Sequence, residues 1–535
     1  MNPIDWFILI VYILVIIYMG FYVGRSQRSQ EDYYLGGREM PSWQVALSIV
    51  ATQVSAISLI GAPAFIAMKP GGGLVWLQYE FAIPLAMMLI MLTVVPMYHK
   101  TGVISIYEYL EKRFGSATRT ILSLIFMASR GLAAGVALLA TSIVTSVCMD
   151  MPLFHTVLLI GVVSIVYTTL GGIRADIYSD ILQLVILWSG AIICLWVLLG
   201  LIGNDPFDGM ARTATDRYRV FNMSGSGLGD GETFGFWPML VGGFFLYLSY
   251  YGCDQSETQR LLTARDAKQA QKALFYNGMI RFPLVITYCS LGIFLIPFLH
   301  THPGFLNRLA GQSPDFLLPH FLLAYMPHGL LGLLIAGIFA ASMSSLDSTL
   351  NSLSAVTWRD FLQKYFARFK TIPREKELWV SKILTVLWGL LCTVFALGMI
   401  GGPETVLVLV NKIGSAFYGP ILATFWLGIL TKKATQPGAI TGLGTGVAMN
   451  IFVWQFFGKA VSWLWWNPIG FFTSFIVGYG ISLAFPKERP EVSEGPQKGL
   501  EKRGLSPIYY LVLIGIFGGI LLVCLLIERV LTGIS

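Results

Sequence analysis

Long apolar stretches separated by short polar loops run along almost the whole chain. A helix needs about 20 mainly apolar residues to cross a bilayer, and windows of that length mark about 14 such stretches. The stretches are Trp6–Val23, Val45–Met68, Val75–Met97, Ile121–Val147, Leu153–Leu170, Ile177–Ile202, Trp237–Tyr251, Leu274–Leu299, Leu330–Trp358, Val380–Ile400, Val406–Leu430, Ala439–Phe457, Trp466–Phe485 and Ile508–Ile527. The pattern predicts an all-α polytopic membrane protein, with one integral membrane domain over residues 1–535.

The composition supports this prediction. Of the 535 residues, 55% are hydrophobic and 12% are charged, which lies outside the range of soluble domains. The net charge of +7 does not indicate nucleic-acid binding, because the Lys and Arg residues lie in short loops on alternate sides of the apolar stretches. This distribution predicts a multi-pass plasma-membrane protein (inner membrane in a bacterium) that contacts the lipid bilayer and has both termini outside.

The second apolar stretch is interrupted by polar residues. Gln53, Ser55 and Ser58 lie near its centre and are followed by Gly61 and Pro63. Unpaired polar groups are costly in the membrane interior. We interpret the interruption as a helix that unwinds near the middle of the bilayer, the alternative being close helix packing through small residues.

A second interruption occurs where the seventh stretch ends, between Tyr247 and Asp254. Two broken helices in matching positions are typical of transporters with inverted repeats and a binding site at the membrane midplane. The spacing predicts a first five-helix repeat over 45–202, a second over 237–430 and C-terminal helices over 439–527.

The ninth stretch carries a row of hydroxyl groups. Ala341, Ser344, Ser345 and Ser348 stand at i, i+3, i+4 and i+7, so they share one helix face, and Asp347 lies beside them. Hydroxyl groups alone usually pack against backbone, but a carboxylate in the membrane needs a cation or a proton.

A second carboxylate, Asp180, lies just inside the sixth stretch. Small hard cations prefer oxygen ligands, and an unwound helix provides free carbonyl groups. We therefore expect a sodium or proton site between the second and ninth stretches and another near Asp180. With proton coupling, Asp180 and Asp347 would carry protons.

Further polar residues within apolar stretches are candidates for solute binding. Arg130 either lines the solute cavity, where its planar fork suits a carboxylate, or pairs with Glu80. Lys412 either extends toward the membrane surface or forms a gate contact, and Arg281 is interpreted as extending toward the surface. The candidates are Gln53, Ser55, Ser58, Gln78, Glu80, Arg130, Tyr247, Tyr250, Asn411 and Lys412.

Several stretches together resemble the sodium/solute symporter family, whose members carry sugars, iodide, vitamins or sialic acid. They are Glu31–Arg38, Tyr107–Phe114, Gly171–Asp176 with Ser179 and Asp180, Asp254–Gln255 with Gln259–Arg260, Ala340–Asn351, and Trp426–Gly428 with Lys432–Lys433. The resemblance implies a five-plus-five inverted repeat of LeuT type, with one extra helix before it and three after it. It also implies sodium as the coupling ion and a protein that functions as a monomer.

The family's sodium site maps onto the carbonyl groups of Ala51, Val54 and Ala341 and the hydroxyl groups of Ser344 and Ser345. Members that bind a second sodium ion are similar at Asp180 and Ser348. In those members the position of Asp347 tends to hold Ser or Thr, so the number of ions stays open.

The resemblance also bears on the solute. Glu80 matches a sugar-binding Glu of the galactose symporter, whereas Arg130 resembles the arginine with which sialic acid symporters hold a carboxylate. Tyr250 resembles the inner-gate tyrosine, and Tyr247 replaces a sugar-binding Asn.

We expect sodium-driven symport of a small polar organic solute with a preference for carboxylates. The alternatives are a sodium/sugar symporter, a proton-coupled symporter or a channel. No nucleotide-binding loop or catalytic motif occurs in the sequence, so we expect no enzyme activity.

Overall fold

A computed structural model of the protein describes residues 1–53, 56–203, 215–309, 311–400, 406–486 and 505–534, and this part of the chain contains helices but no β-strand. The helices are α1 (Pro3–Gly24), α2 (Gln30–Leu35), α3 (Ser42–Gln53), α4 (Ala56–Ala67), α5 (Ala82–Thr101), α6 (Tyr107–Arg113), α7 (Ser116–Met149), α8 (Leu153–Ile202), α9 (Gly243–Cys253), α10 (Gln255–Leu262), α11 (Ala267–Thr301), α12 (Pro303–Arg308), α13 (Leu317–Tyr325), α14 (Leu330–Val356), α15 (Gln363–Tyr365), α16 (Arg374–Gly398), α17 (Val406–Leu430), α18 (Gln436–Phe457), α19 (Trp466–Ala484) and α20 (Pro507–Ile534).

Within these described residues, ten helical segments are long and apolar enough to cross a membrane, or eleven if the bent pair α3 and α4 counts as one span. The prediction of an all-helical membrane protein is therefore confirmed. The division into 14 spans stays a prediction. It requires α8 to be counted twice and the shorter apolar helices to be included.

Outer and central helices differ in what they expose. Phe7 of α1 and Leu511 of α20 are 66% and 65% exposed, as expected for side chains that face lipid rather than water. By contrast, α14 is buried along most of its length and packs against α1, α7, α8 and α16. The serine-bearing helix thus lies in the centre of the bundle, where its polar side chains can only meet other protein groups, ions or a solute.

The second apolar stretch consists of two helices. Helix α3 ends at Gln53, α4 begins at Ala56, and the two are inclined by 51°. The direction of the helix axis therefore changes within this stretch, as the polar interruption predicts.

The fifth and sixth stretches form one helix, α8, with a break at Gly172. Gly172 has φ 55° and ψ −165°, a conformation that strongly favours glycine. A Cβ atom at this position would also lie 2.8 Å from the carbonyl oxygen of Tyr33. In place of the loop expected between Leu170 and Ile177, the helix has a break at this one residue, in a backbone conformation that glycine adopts readily.

The seventh stretch is interrupted at Asp254, as predicted. Helix α9 ends at Cys253, Asp254 is extended with φ −100° and ψ 127°, and α10 follows. The side chain of Asp254 caps α10, since its Oδ1 atom accepts a hydrogen bond from the backbone N–H of Ser256 at 2.9 Å. An aspartate at this position stabilises the new helix start.

Candidate ion and solute site

The C-terminal end of α3 meets the serine-bearing face of α14. The Ser345 hydroxyl donates a hydrogen bond to the carbonyl oxygen of Thr52 at 3.3 Å, and Ala51 and Ala341 are both buried. The structure therefore brings together the two elements that carry the predicted sodium ligands. Val54 lies outside the described residues.

The chemistry of this junction suits a small hard cation. The C-terminal end of α3 carries the negative end of the helix dipole, and the hydroxyl groups of Ser344 and Ser345 are oxygen donors for such an ion. Since the site lies within the buried part of the bundle, an ion there would interact strongly with these dipoles.

Asp180 lies beside the junction and is fully buried. Its Oδ1 atom accepts a hydrogen bond from the Ser344 hydroxyl at 2.5 Å, and its Oδ2 atom accepts one from the Ser48 hydroxyl at 2.5 Å. The guanidinium of Arg260 forms an ion pair with Asp180 at 3.0 Å. The charge of Asp180 is thus already balanced by an arginine.

Arg260 joins four helices, and sequence reasoning assigned it no role. Its Nε atom donates to the Ser48 hydroxyl at 2.7 Å, its Nη1 atom to the carbonyl oxygen of Ser256 at 3.0 Å, and its Nη2 atom also contacts the Ser348 hydroxyl. The signal was present in the sequence, because Arg260 follows directly on the Asp254 interruption within a short polar helix that is wholly buried.

Asp347 is not part of this network. Its carboxylate lies close to the hydroxyl groups of Ser164 and Thr168 on α8 and to the carboxylate of Asp176. Neither oxygen of Asp347 has a hydrogen-bond partner among the described residues. The three residues predicted for a second sodium site are therefore divided, with Asp180 and Ser348 bonded to Arg260 and Asp347 facing α8.

Glu80 is paired with Arg281, not with Arg130. The Arg281 Nε atom donates to Glu80 Oε2 at 2.9 Å and its Nη2 atom to Oε1 at 3.2 Å, and both residues are buried. The ring of Tyr247 lies 5.9 Å from the Arg281 guanidinium. The proposed pairing of Arg130 with Glu80 and the surface position of Arg281 were both wrong.

Arg130 is paired with Asp254. Its Nε atom donates to Asp254 Oδ2 at 2.5 Å, and its guanidinium lies 5.1 Å from the ring centre of Tyr250. The Tyr250 hydroxyl donates to Glu257 at 2.8 Å. Arg130 and Asp254 line a cavity of about 60 Å³ together with Ser249. Sites for small organic molecules usually have about 300–1,000 Å³, so the groups around Arg130 must move apart to admit a solute.

The other solute candidates are scattered. Gln78 binds the loop after α8, because its amide donates to the carbonyl oxygen of Phe234 at 3.2 Å and accepts from the backbone N–H of Asn222 at 3.1 Å. Gln53 ends α3 and Ser58 lies in the first turns of α4, both half-buried. Ser55 and the side chains of Asn411 and Lys412 lie outside what the structure describes.

Two interrupted helices around buried ion pairs are typical of a class of protein, the ion-coupled secondary transporters, in which such helices form the binding site. A family model described as the sodium:solute symporter family matches residues 33–446. The chain belongs to this family.

Known relatives agree with this assignment. The chain is 28% identical to the human sodium/iodide cotransporter, over 84% of this chain and 69% of that protein. It is 29% identical to the human sodium-coupled monocarboxylate transporter 1, over 81% of this chain and 69% of that protein. The solved structure of a Na⁺-coupled sialic acid symporter in a substrate-bound outward-open state matches with a TM-score of 0.81 at 24% identity, covering 91% of this chain and 99% of that one. This last likeness shows the common fold.

Proposed function

We propose that the protein uses an inward sodium gradient to drive uptake of a small organic anion, with a carboxylate as the preferred charged group. The observation that carries the proposal is the junction of α3 and α14, where the Ser345 hydroxyl contacts the backbone carbonyl of Thr52 near the end of α3. Sodium would bind there to the carbonyl groups of Ala51, Val54 and Ala341 and to the hydroxyl groups of Ser344 and Ser345.

An ion between two elements couples to transport only if it binds one arrangement better than the other. The carbonyl groups at the end of α3 and the hydroxyl groups of α14 belong to different helices. A sodium ion bound to both would therefore favour the conformation in which these two helices are in contact. The membrane potential would add about 2.3 kcal/mol per charge for each 100 mV.

The proposed layout has 14 spans, with repeats over 45–202 and 237–430 in a LeuT-like arrangement and both termini outside. The breaks at the end of α3 and at Asp254 support it, since each would lie in the first helix of a repeat. The kink at Gly172 supports the division of α8 into two spans.

An anionic solute is supported by the two buried arginines, Arg130 and Arg281, that lie near the broken helices. Relatives named for iodide, monocarboxylates and sialic acid are also transporters of anions. Arg130 lines a cavity, so we assign the solute's carboxylate to Arg130.

Uptake into proteoliposomes tests this function. The vesicles receive a sodium gradient or a pH gradient separately, and the solutes offered are iodide, a short monocarboxylate, a sialic acid and a neutral sugar. We expect accumulation of at least one anion with the sodium gradient alone. Accumulation that follows the pH gradient, or of the sugar only, would contradict the proposal.

The sodium site has a matched pair of variants on α14. Ser345→Ala removes a proposed ligand and should abolish the sodium dependence of uptake. Ser342→Ala removes a hydroxyl that, among the described residues, bonds only the carbonyl oxygen of Ile338 in the same helix, at 2.9 Å, and this variant should leave uptake unchanged. Equal behaviour of the two variants would show that the ion lies elsewhere.

A further inference from the structure

Two buried carboxylates, Asp176 and Asp347, lie close enough to repel each other next to the Gly172 break. Asp176 is 1% exposed and Asp347 is 0% exposed. None of their four carboxylate oxygens forms a hydrogen bond of normal geometry among the described residues, although the side chains of Ser164 and Thr168 lie beside Asp347 and that of Asn351 lies beside Asp176. Buried polar groups are rarely left in this condition, so this carboxylate pair needs either a proton or a bound cation.

Two hydroxyl groups of α8 point to the same place. Ser164 and Thr168 stand at i and i+4 on the half of α8 before the break, so they share one helix face, and both lie beside Asp347. Both side chains are fully buried, and neither hydroxyl has a partner within the described part of the chain. Unpartnered oxygens on α8 thus face an unpartnered carboxylate on α14.

The amide of Asn351 orients the second carboxylate. Its oxygen accepts a hydrogen bond from the Gln259 amide at 2.8 Å, which leaves its nitrogen directed toward Asp176. Asn351 lies one turn after Asp347 on α14, so both residues belong to the same helix face. The fold therefore positions the two carboxylates together.

No described cation neutralises this pair. Arg260 acts on Asp176 through its charge, but its nitrogen atoms bond Ser48, Ser256, Asp180 and Ser348. Two like charges in a low-dielectric interior repel each other strongly. A bound cation would offset part of this repulsion and give the free oxygens a partner at the same time.

We propose that Asp176 and Asp347, together with the hydroxyl groups of Ser164 and Thr168, bind a second sodium ion, separate from the junction of α3 and α14. Carboxylate and hydroxyl oxygens are the donors that hard cations prefer. Calcium takes 6–8 oxygen ligands, and four side chains that each bind through one oxygen do not supply them. The choice of sodium among the hard cations rests on the proposed function, which delivers this ion to α14.

Equilibrium binding of ²²Na⁺ to the purified full-length protein in lipid nanodiscs tests the site without requiring transport. We expect wild-type protein to bind two ions, and Ser345→Ala to bind one. Asp347→Asn and Asp176→Asn should also bind one, with the affinity of the lost site reduced at least about a hundredfold, because removing a charged partner of a buried ion is costly. Ser342→Ala should bind two.

The outcomes separate the two proposals. If wild type binds one ion that only Ser345→Ala removes, the second site is wrong and the proposed function survives. If wild type binds no sodium, the proposed function fails. Binding of ⁴⁵Ca²⁺ instead of ²²Na⁺ that is sensitive to Asp347→Asn would overturn the assignment of sodium.

Further measurements distinguish a lost ion site from a misfolded protein. Aspartate and asparagine have the same shape, so Asp347→Asn should not lower the melting temperature when sodium is absent. Thr168→Val keeps both carboxylates and removes one oxygen ligand, and we expect it to weaken the second site about tenfold. If Thr168→Val and both asparagine variants all bind sodium like wild type, the carboxylate pair is not an ion site.

Discussion

The two arginine–carboxylate pairs near α9 have the same chemistry but different surroundings. Arg281 holds Glu80 through two hydrogen bonds and is packed against Tyr247, with both charges buried. Arg130 holds Asp254 through one carboxylate oxygen and borders a cavity. In the first pair, both carboxylate oxygens of Glu80 bond Arg281. In the second pair, Arg130 borders a cavity, so another carboxylate could replace Asp254 there.

This difference suggests different roles. Breaking a closed, buried pair leaves an uncompensated charge, which costs roughly 3–5 kcal/mol. A pair beside a cavity can instead replace one carboxylate by another, because the arginine keeps a partner throughout. We therefore expect the Glu80 pair to stabilise the fold and the Arg130 pair to recognise the solute.

The largest effect is expected for Glu80→Gln, which leaves Arg281 buried without a counter-charge. We expect the free energy of unfolding to fall by roughly 3–5 kcal/mol, seen as a lower melting temperature of the purified protein. In the double variant Glu80→Gln/Arg281→Gln, both charges are gone, and most of the stability should return. A single variant as stable as wild type would mean that water or a solute reaches this pair.

A smaller loss of stability but a large loss of affinity is expected for Arg130→Gln. Asp254 keeps the hydrogen bonds of the helix cap from Ser256, so the fold should tolerate the change. Without the guanidinium fork, the KM for the anion that wild type accumulates should rise by about tenfold or more, the scale of a lost charged hydrogen bond. Arg130→Lys, which keeps the charge but not the fork, should restore it in part.

The opposite result would reverse the assignment. If Arg130→Gln lowers the melting temperature more than Glu80→Gln does and leaves KM unchanged, Arg130 is structural and Arg281 is the better candidate for the solute. The two variants therefore have to be compared in both measurements.

The sequence predicted the interruptions and the serine face better than the ion pairs. Polar residues in an apolar stretch mark a break directly, and the i, i+3, i+4 spacing fixes a helix face, so the contact of α3 with α14 followed from local signals. Which charges pair depends on how far each one lies from the membrane surface. The hydropathy pattern placed Arg281 too close to that surface. The eighth stretch begins at Leu274 by hydropathy, but α11 begins at Ala267, so Arg281 lies about 21 Å along the helix.

Asp347 illustrates another limit of the sequence. The family resemblance at Asp180 and Ser348 grouped the neighbouring Asp347 with them, but adjacent residues on a helix point about 100° apart. The partner of Asp347 is set by α8, whose turn at Gly172 brings Asp176 into place. A break of one glycine leaves little trace in a hydropathy pattern.

An effect of intermediate size is expected for Tyr250→Phe. The hydroxyl that donates to Glu257 at 2.8 Å is lost, whereas the ring beside Arg130 is kept. A hydrogen bond to a charged group is worth about 1.5–3 kcal/mol, so we expect uptake to slow about tenfold with little change in protein yield. A Tyr250→Phe variant that transports at the wild-type rate would show that this contact has no part in the cycle.

The smallest effect is expected for Tyr247→Phe, and this variant tests whether the Glu80 pair is closed. The Tyr247 hydroxyl has no partner among the described residues, while its ring packs 4.8 Å from that of Tyr79 and near Arg281. Removing only the oxygen should change the free energy of unfolding by less than about 0.5 kcal/mol and leave KM as it is. If KM rises instead, the solute reaches the Tyr247 hydroxyl and therefore the Glu80 pair. Both arginines would then belong to one solute site.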